Sequence, residues 1–430
     1  MIASLLPPLP IIYLIFQKSL IALLVSFSPQ GSILRPMIFP FLVLYNYYLL
    51  PKYVSYIPRT PWIAFVCEEI TSALLDYLEK LLLSQWSFET YGPSVAAGTA
   101  KKADKETIKR LVPDEQTDRG RDIWERLKFG AWVATSSRYI GSPYQARNVP
   151  PYSKLNPFFV PTRLEFLLMW SIKFIVCYLI IDVMTQASQP EMNPIIYAES
   201  YVPFFSRLAE VTIEESITRI FTSILYWFGS YAIVQMYFTG FALISVSTGL
   251  DRPELWRPIC GPLSEAYTIR GFWSLFWHQT MRKRFTKPAR YITFHVFNLP
   301  RGHSVDSEFQ RLLARYTEVF FVFLISGLLH HVMDVASGMA WTESGATTFF
   351  VMMATGVMME DAMQWVFYDL LMGGDERGRS WAKGLGFLWV ILVFSYATPF
   401  WAYPMLRRNT GEINNDILPW SVVAYLKAKK

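Results

Sequence analysis

Cysteine is nearly absent: Cys67, Cys177 and Cys260 are scattered along 430 residues without a CxxC pair. That excludes a disulfide framework and a cysteine-built zinc site. No Asn-x-Ser/Thr acceptor occurs, which argues against a large exposed extracellular surface. The chain also lacks a Walker loop, a dinucleotide-binding Gly-rich turn, a haem-ligand motif and paired Asp-rich motifs. Nucleotide hydrolysis, dinucleotide redox chemistry and magnesium-dependent prenyl transfer are therefore not expected, and neither is a metal nor a bound cofactor. No internal repeat stands out, which disfavours a transporter built from duplicated halves. Charge is sparse, at 17% Asp, Glu, Lys and Arg, and histidine occurs five times.

What the chain has is apolar surface. Hydrophobic residues make up 52% and aromatics 17%, too much for an ordinary soluble protein. Windows of roughly 20 apolar residues recur, at 9–27, 33–50, 164–183, 221–246, 316–335, 347–371 and 385–403. A further window, 62–83, is interrupted by Glu68, Glu69, Asp76, Glu79 and Lys80. It either crosses beside other helices or lies amphipathically in the interface. The first window has no basic flank and no small-residue cleavage site after it, so a retained helix is expected rather than a signal peptide. The reading is an all-α polytopic membrane protein of seven or eight transmembrane helices. It forms a single membrane-embedded domain over 1–430.

The net charge of +6 does not mark a nucleic-acid binder, because it is concentrated in two long loops, 85–163 and 251–315. Between them, 186–216 carries Arg207 as its only basic residue beside Glu191, Glu199, Glu210, Glu214 and Glu215. Basic loops stay cytoplasmic, so both large loops are assigned to the cytosol and the acidic connection to the lumen. That assignment strains at the end, where an eighth crossing puts Arg407 and Arg408 on the luminal side. Either residues 417–426 dip back or one span is misassigned. Residues 101–128 are hydrophilic with charges of both signs and read as a solvated loop leading into a surface helix.

Two adjacent histidines, His330 and His331, end a run from Val319 to Leu329 that contains only Ser326 as a polar residue. An ionisable ring in a membrane span is costly to place, so it is read as functional. An imidazole that stays neutral near pH 7 in a low-dielectric tunnel is a proton acceptor, as a general base for an alcohol must be. Adjacent helical positions point about 100° apart, so only one ring faces straight into a tunnel. Upstream, residues 270–285 pack Phe272, Trp273, Phe276, Trp277, His278 and Gln279 beside Arg282, Lys283 and Arg284. Such aromatics suit the membrane–water boundary. The cations either snorkel to headgroups or clamp phosphates. Glu360 and Asp361 fall within a later apolar window, where they pair with Arg or His of neighbouring helices or hold a proton. His295 and His303 lie in a loop and receive no chemistry.

These residues resemble the membrane-bound O-acyltransferases, in particular the wax-synthase-like branch whose fungal members acetylate terpenoid alcohols. Phe272-Trp273 through Trp277-His278-Gln279 is similar to the family's aromatic motif, and Ser326-Gly327-Leu328-Leu329-His330 to its catalytic-histidine motif. Arg138-Tyr139-Ile140-Gly141 through Arg147-Asn148-Val149-Pro150 resembles a cytoplasmic motif of the fungal proteins. Glu360-Asp361 resembles an acidic pair. Together these cover residues from about 130 to 370. The resemblance puts His330 in the catalytic histidine's place and His278 in that of an upstream Asn or His. His331 stands where many relatives have Glu, so which ring works stays open.

The resemblance implies acyl transfer from coenzyme A, with acetyl-CoA as co-substrate, to a lipophilic alcohol arriving from the bilayer. His278 or Gln279 would orient the thioester or stabilise the oxyanion, and Arg282, Lys283 and Arg284 would guide the coenzyme A phosphates. The natural home of this chemistry is the endoplasmic reticulum. Two other readings are a long-chain wax or sterol ester synthase and, from a different class, a proton-coupled transporter relaying protons through His330, Glu360 and Asp361.

Overall fold

The structure, a computed structural model, describes residues 9–52, 56–57, 59–96, 119–188, 190–301, 307–366, 380–410 and 417–429. Residues 101–118 of the hydrophilic loop, His303 and the 367–371 end of one expected span lie outside these. Among the described residues the regular elements are helices, with no strand. Five are long and apolar enough to cross a membrane: Leu9–Phe27, Arg163–Ala187, Ile213–Thr248, Glu308–Ala336 and Trp381–Arg407. Helices Leu34–Leu49, Thr60–Tyr77 and Ala346–Gln364, of 16, 18 and 19 residues, fall at three further expected spans. They are shorter or more polar.

Local chemistry explains the boundaries. Thr162 and Glu165 form a reciprocal capping box at the start of Arg163–Ala187, satisfying N–H groups that an uncapped helix leaves open. The Thr212 hydroxyl caps Ile213–Thr248 by accepting the Glu215 N–H, and Gly249 ends it in the left-handed conformation. At 36 residues and about 1.5 Å per residue, this helix is about 54 Å long and outruns a hydrocarbon core of about 30 Å.

The chain divides into two compact units. One comprises residues 1–57, 63–147 and 280–325. Its core gathers Ile21, Val25, Leu42, Tyr77, Leu81, Trp86, Phe129, Val133 and Tyr139. Ser26 ties its first helix to Arg119–Thr135, with Oγ 2.8 Å from the Arg126 carbonyl. The other unit comprises 58–62, 148–279 and 326–430. In it Arg163–Ala187 packs along Ile213–Thr248 through Cys177, Ile181, Ala232 and Met236, joined by Leu418. Residues 417–429 turn back onto the last turns of Arg163–Ala187: Tyr178 donates to the Trp420 carbonyl, and Asp182 accepts the Val423 N–H at 3.0 Å. Arg407 donates to the Tyr197 carbonyl, so the end of the last long helix sits against the acidic 186–216 loop.

Candidate active site

The second unit builds its site from three stretches. In the first, Gly327 marks the approach of Glu308–Ala336 to Ala346–Gln364. A Cβ at 327 would lie 2.9 Å from Thr347 Cα and 3.1 Å from Phe350 Cβ. Only a residue without a side chain lets the helices come this close. One turn on, both histidines meet the facing helix and its approach loop.

The two rings have different surroundings. His331 is buried, with Nε2 2.9 Å from the Trp341 carbonyl oxygen and Nδ1 3.2 Å from Thr347 Oγ1. A carbonyl only accepts, so Nε2 carries the proton and Nδ1 accepts from the threonine hydroxyl. Both nitrogens are occupied. His330 is half-buried and lies flat on Phe350, centroids 4.9 Å and planes 4° apart, with Trp401 at 4.9 Å and 56°. Its nitrogens have no hydrogen-bond partner among the described residues.

The second stretch carries His278. Thr268 caps a single turn, Ile269–Gly271, that widens into a π-helical turn, Phe272–Phe276. Trp277 then leaves it in an extended conformation. The exit is pinned by two backbone hydrogen bonds to an adjacent segment, Gly261 N–H to Phe276 O at 2.8 Å and Gln279 N–H to Ile259 O at 3.3 Å. Gly261 is required there, since a Cβ would sit 2.1 Å from the Leu275 oxygen. π-Turns recur at functional sites. This one exposes the Ser274 carbonyl, which accepts from Asn148 Nδ2 at 3.1 Å. Asn148, at φ 62°, belongs to the Arg138–Pro150 motif. Gln279 is buried and its side chain donates to the Trp277 carbonyl. His278 is half-buried and within electrostatic reach of His330.

Glu360 and Asp361 anchor this stretch. Glu360 accepts the Ile269 and Arg270 N–H groups, as carboxylates do at helix N-termini. Asp361 takes the Arg270 guanidinium at 2.6 and 3.4 Å. Of the roles foreseen for the pair, the structure displays the arginine partnership.

The third stretch is aromatic. Trp227 touches Phe272, Trp273, Trp277, Phe349, Phe394 and Trp401 with centroids 5.2–6.3 Å apart. Its N–H is held by Thr398 Oγ1 at 3.0 Å. The cluster joins the Trp277–His278 turn to the rings around His330.

Arg282, Lys283 and Arg284 belong to the other unit and have distinct surroundings. Arg284 is buried with Nε and Nη2, one edge of its guanidinium, on Asp76 at 2.7 and 2.9 Å, and Asp76 also meets Lys18 and Lys80. Lys283 donates to the Tyr144 carbonyl and lies 4.1 Å from the centroid of the Tyr139 ring. Burial pulls its pKa down to about 8. Arg282 is half-buried, and burial with the neighbouring Arg147 lowers its pKa.

Sequence reading missed Asp334 and Trp401. Asp334 is buried, and its Oδ2 accepts from Ser344 Oγ at 2.6 Å and Trp401 Nε1 at 3.0 Å. Its position four residues after His330, on the same helix face, was available as a signal. Trp401 lies 71 residues from His330 and carries no such mark.

Residues 256–352, which include His278, His330 and His331, match the sequence profile of the membrane bound O-acyl transferase family. The chain is also 29% identical over 401 residues, 91% of each chain, to the acetyltransferase aurG of Calcarisporium arbuscula. Over residues 256–352 the chain is similar to the membrane bound O-acyl transferase family, and together with its relatives the match marks an O-acyltransferase enzyme. This O-acyltransferase is also 29% identical over 358 residues to the acetyltransferase fsoF of Humicola fuscoatra, 81% of its own chain and 84% of the relative. With the acetyltransferase atnC of Arthrinium sp it shares 34% over 284 residues, 65% and 63% of the two chains. No solved structure matches the acyltransferase.

Proposed function

We propose that this enzyme transfers an acetyl group from acetyl-CoA to a hydroxyl of a lipophilic acceptor, such as a terpenoid or meroterpenoid, with His330 as general base. The observation that carries the assignment is the contrast between the two rings. His331 uses both nitrogens on Trp341 and Thr347, whereas neither nitrogen of His330 is bound by a described residue. A base needs a vacant lone pair. The acceptor hydroxyl gives its proton to His330 while its oxygen attacks the thioester carbonyl. The tetrahedral intermediate then breaks its C–S bond, and the leaving thiolate takes the proton back from the imidazolium. His278, fixed between the π-turn and the Ile259 backbone, orients the thioester or its oxyanion. Trp277 and Gln279 hold that turn.

Arg282 and Lys283 meet the donor phosphates, while Arg284, buried on Asp76, serves the fold. The single domain over 1–430 crosses the endoplasmic reticulum membrane seven or eight times. The crossings are the five long helices together with Leu34–Leu49, Ala346–Gln364 and, as an eighth, Thr60–Tyr77. Both basic loops face the cytosol. The relatives named acetyltransferase support the acetyl donor. Purified enzyme incubated with acetyl-CoA and a panel of terpenoid alcohols should release free thiol and form the acetate ester, and palmitoyl-CoA should release far less. Thiol release from palmitoyl-CoA alone, or from neither donor, would reject the assignment.

A further inference from the structure

We propose that Asp334 and Trp401 form a positioning pair that stabilises the protonated state of His330 during turnover. The inference rests on the reading of His330 as the base. A base becomes a cation part-way through the reaction, and a cation in apolar surroundings needs compensation. For His330 none comes from a hydrogen bond to a described residue; its ring meets Phe350 and Trp401, each at 4.9 Å. The indole face is the strongest aromatic partner for a cation.

Trp401 is not free to turn. Its Nε1–H donates to Asp334 Oδ2 at 3.0 Å, and Ser344 Oγ–H donates to the same oxygen at 2.6 Å. The indole N–H is a donor only, so the carboxyl group accepts from it. Donation toward an anionic acceptor leaves more electron density on the indole ring, which strengthens its attraction for an imidazolium. Arg408 lies within electrostatic reach of Asp334, with its guanidinium on the Gly338 carbonyl at 2.6 Å. Asp334 follows His330 by one helical turn, so both ends of the Asp334–Trp401–His330 path ride on one helix. Asp334 touches no reacting atom in this scheme. It acts through the indole.

The test measures kcat and KM for acetyl-CoA with farnesol, or whichever alcohol of the panel above turns over fastest. The variants are Asp334→Asn, Trp401→Phe, Trp401→Leu, the Asp334→Asn/Trp401→Phe double and His330→Ala. Asp334→Asn and Trp401→Phe should each lower kcat about tenfold with KM within twofold. Trp401→Leu, which removes the ring face, should fall at least a further threefold, so that phenylalanine rescues part of what leucine loses. The double variant should match the slower single variant, because both changes break one path. Multiplicative losses in the double, or losses carried by KM, or wild-type kcat in Asp334→Asn would each overturn the pairing. An active His330→Ala would instead overturn the assignment of the base.

Discussion

Glu360 accepts the backbone N–H of Ile269 at 2.5 Å. Through this contact a carboxylate on one helix anchors the turn that leads to Trp277 and His278. The Arg270 N–H at 3.4 Å and the Arg270–Asp361 pair reinforce it. Glu360→Ala leaves the buried Ile269 N–H and the part-buried Arg270 N–H without their acceptor. It should destabilise the fold by about 1–3 kcal/mol and lower kcat about tenfold. Glu360→Gln, which keeps an acceptor oxygen, should recover most of both in a thermal melt and a rate assay.

His331 should behave as a structural residue. Its Nε2–H and Nδ1 hold the Trp341 carbonyl and the Thr347 hydroxyl. Removing the ring costs about 1–3 kcal/mol in unsatisfied partners. His331→Ala should therefore melt several degrees lower while keeping kcat within about fivefold of wild type at a temperature where it stays folded.

The donor KM should depend on pH through Lys283. Burial lowers this lysine from 10.5 to about 8; Lys287 adds to the shift and Glu79 opposes it. Between about 8 and 10.5 the unfolded chain holds a proton that the folded one has lost. Fold stability from this group therefore rises with pH across that window, and its penalty is fully present below 8. Binding runs the other way. If Lys283 meets the donor phosphates as proposed, that cation is lost above pH 8, and KM for acetyl-CoA should climb between pH 7 and 9.5. Lys283→Arg, charged throughout, should flatten the profile.

Arg284 and Asp76 should report on folding rather than on donor affinity. Breaking a buried ion pair typically costs about 3–5 kcal/mol, and Arg284→Met should fall at the low end because Lys18 and Lys80 still face Asp76. Asp76→Asn should cost more, since it leaves three cations together. Melting in detergent orders the two. Whatever fraction of Arg284→Met folds should show an acetyl-CoA KM within twofold of wild type.

The apolar windows made the long helices legible, and the His-His pair at the end of an apolar run marked the candidate site. Thr162-x-x-Glu165 and Gly249 even mark helix ends in one dimension. The difference between His330 and His331 was not legible. It depends on Trp341 and Thr347, whose arrival at the ring is set by the Gly327 crossing. Three adjacent cations, Arg282 to Arg284, read as one patch, yet successive helical positions point about 100° apart. That rotation buries Arg284 on Asp76 while Lys283 turns to Tyr139 and Tyr144. The Trp227 cluster draws on segments more than 100 residues apart, and no local pattern announces such a meeting.

The most direct measurement compares thiol release by purified His330→Ala and His331→Ala, with acetyl-CoA and the best alcohol of the panel. His330→Ala should lose at least a thousandfold in kcat while remaining folded and membrane-inserted, and His331→Ala should stay active. Wild-type turnover by His330→Ala, or loss confined to His331→Ala, would contradict the assignment of His330 as the base.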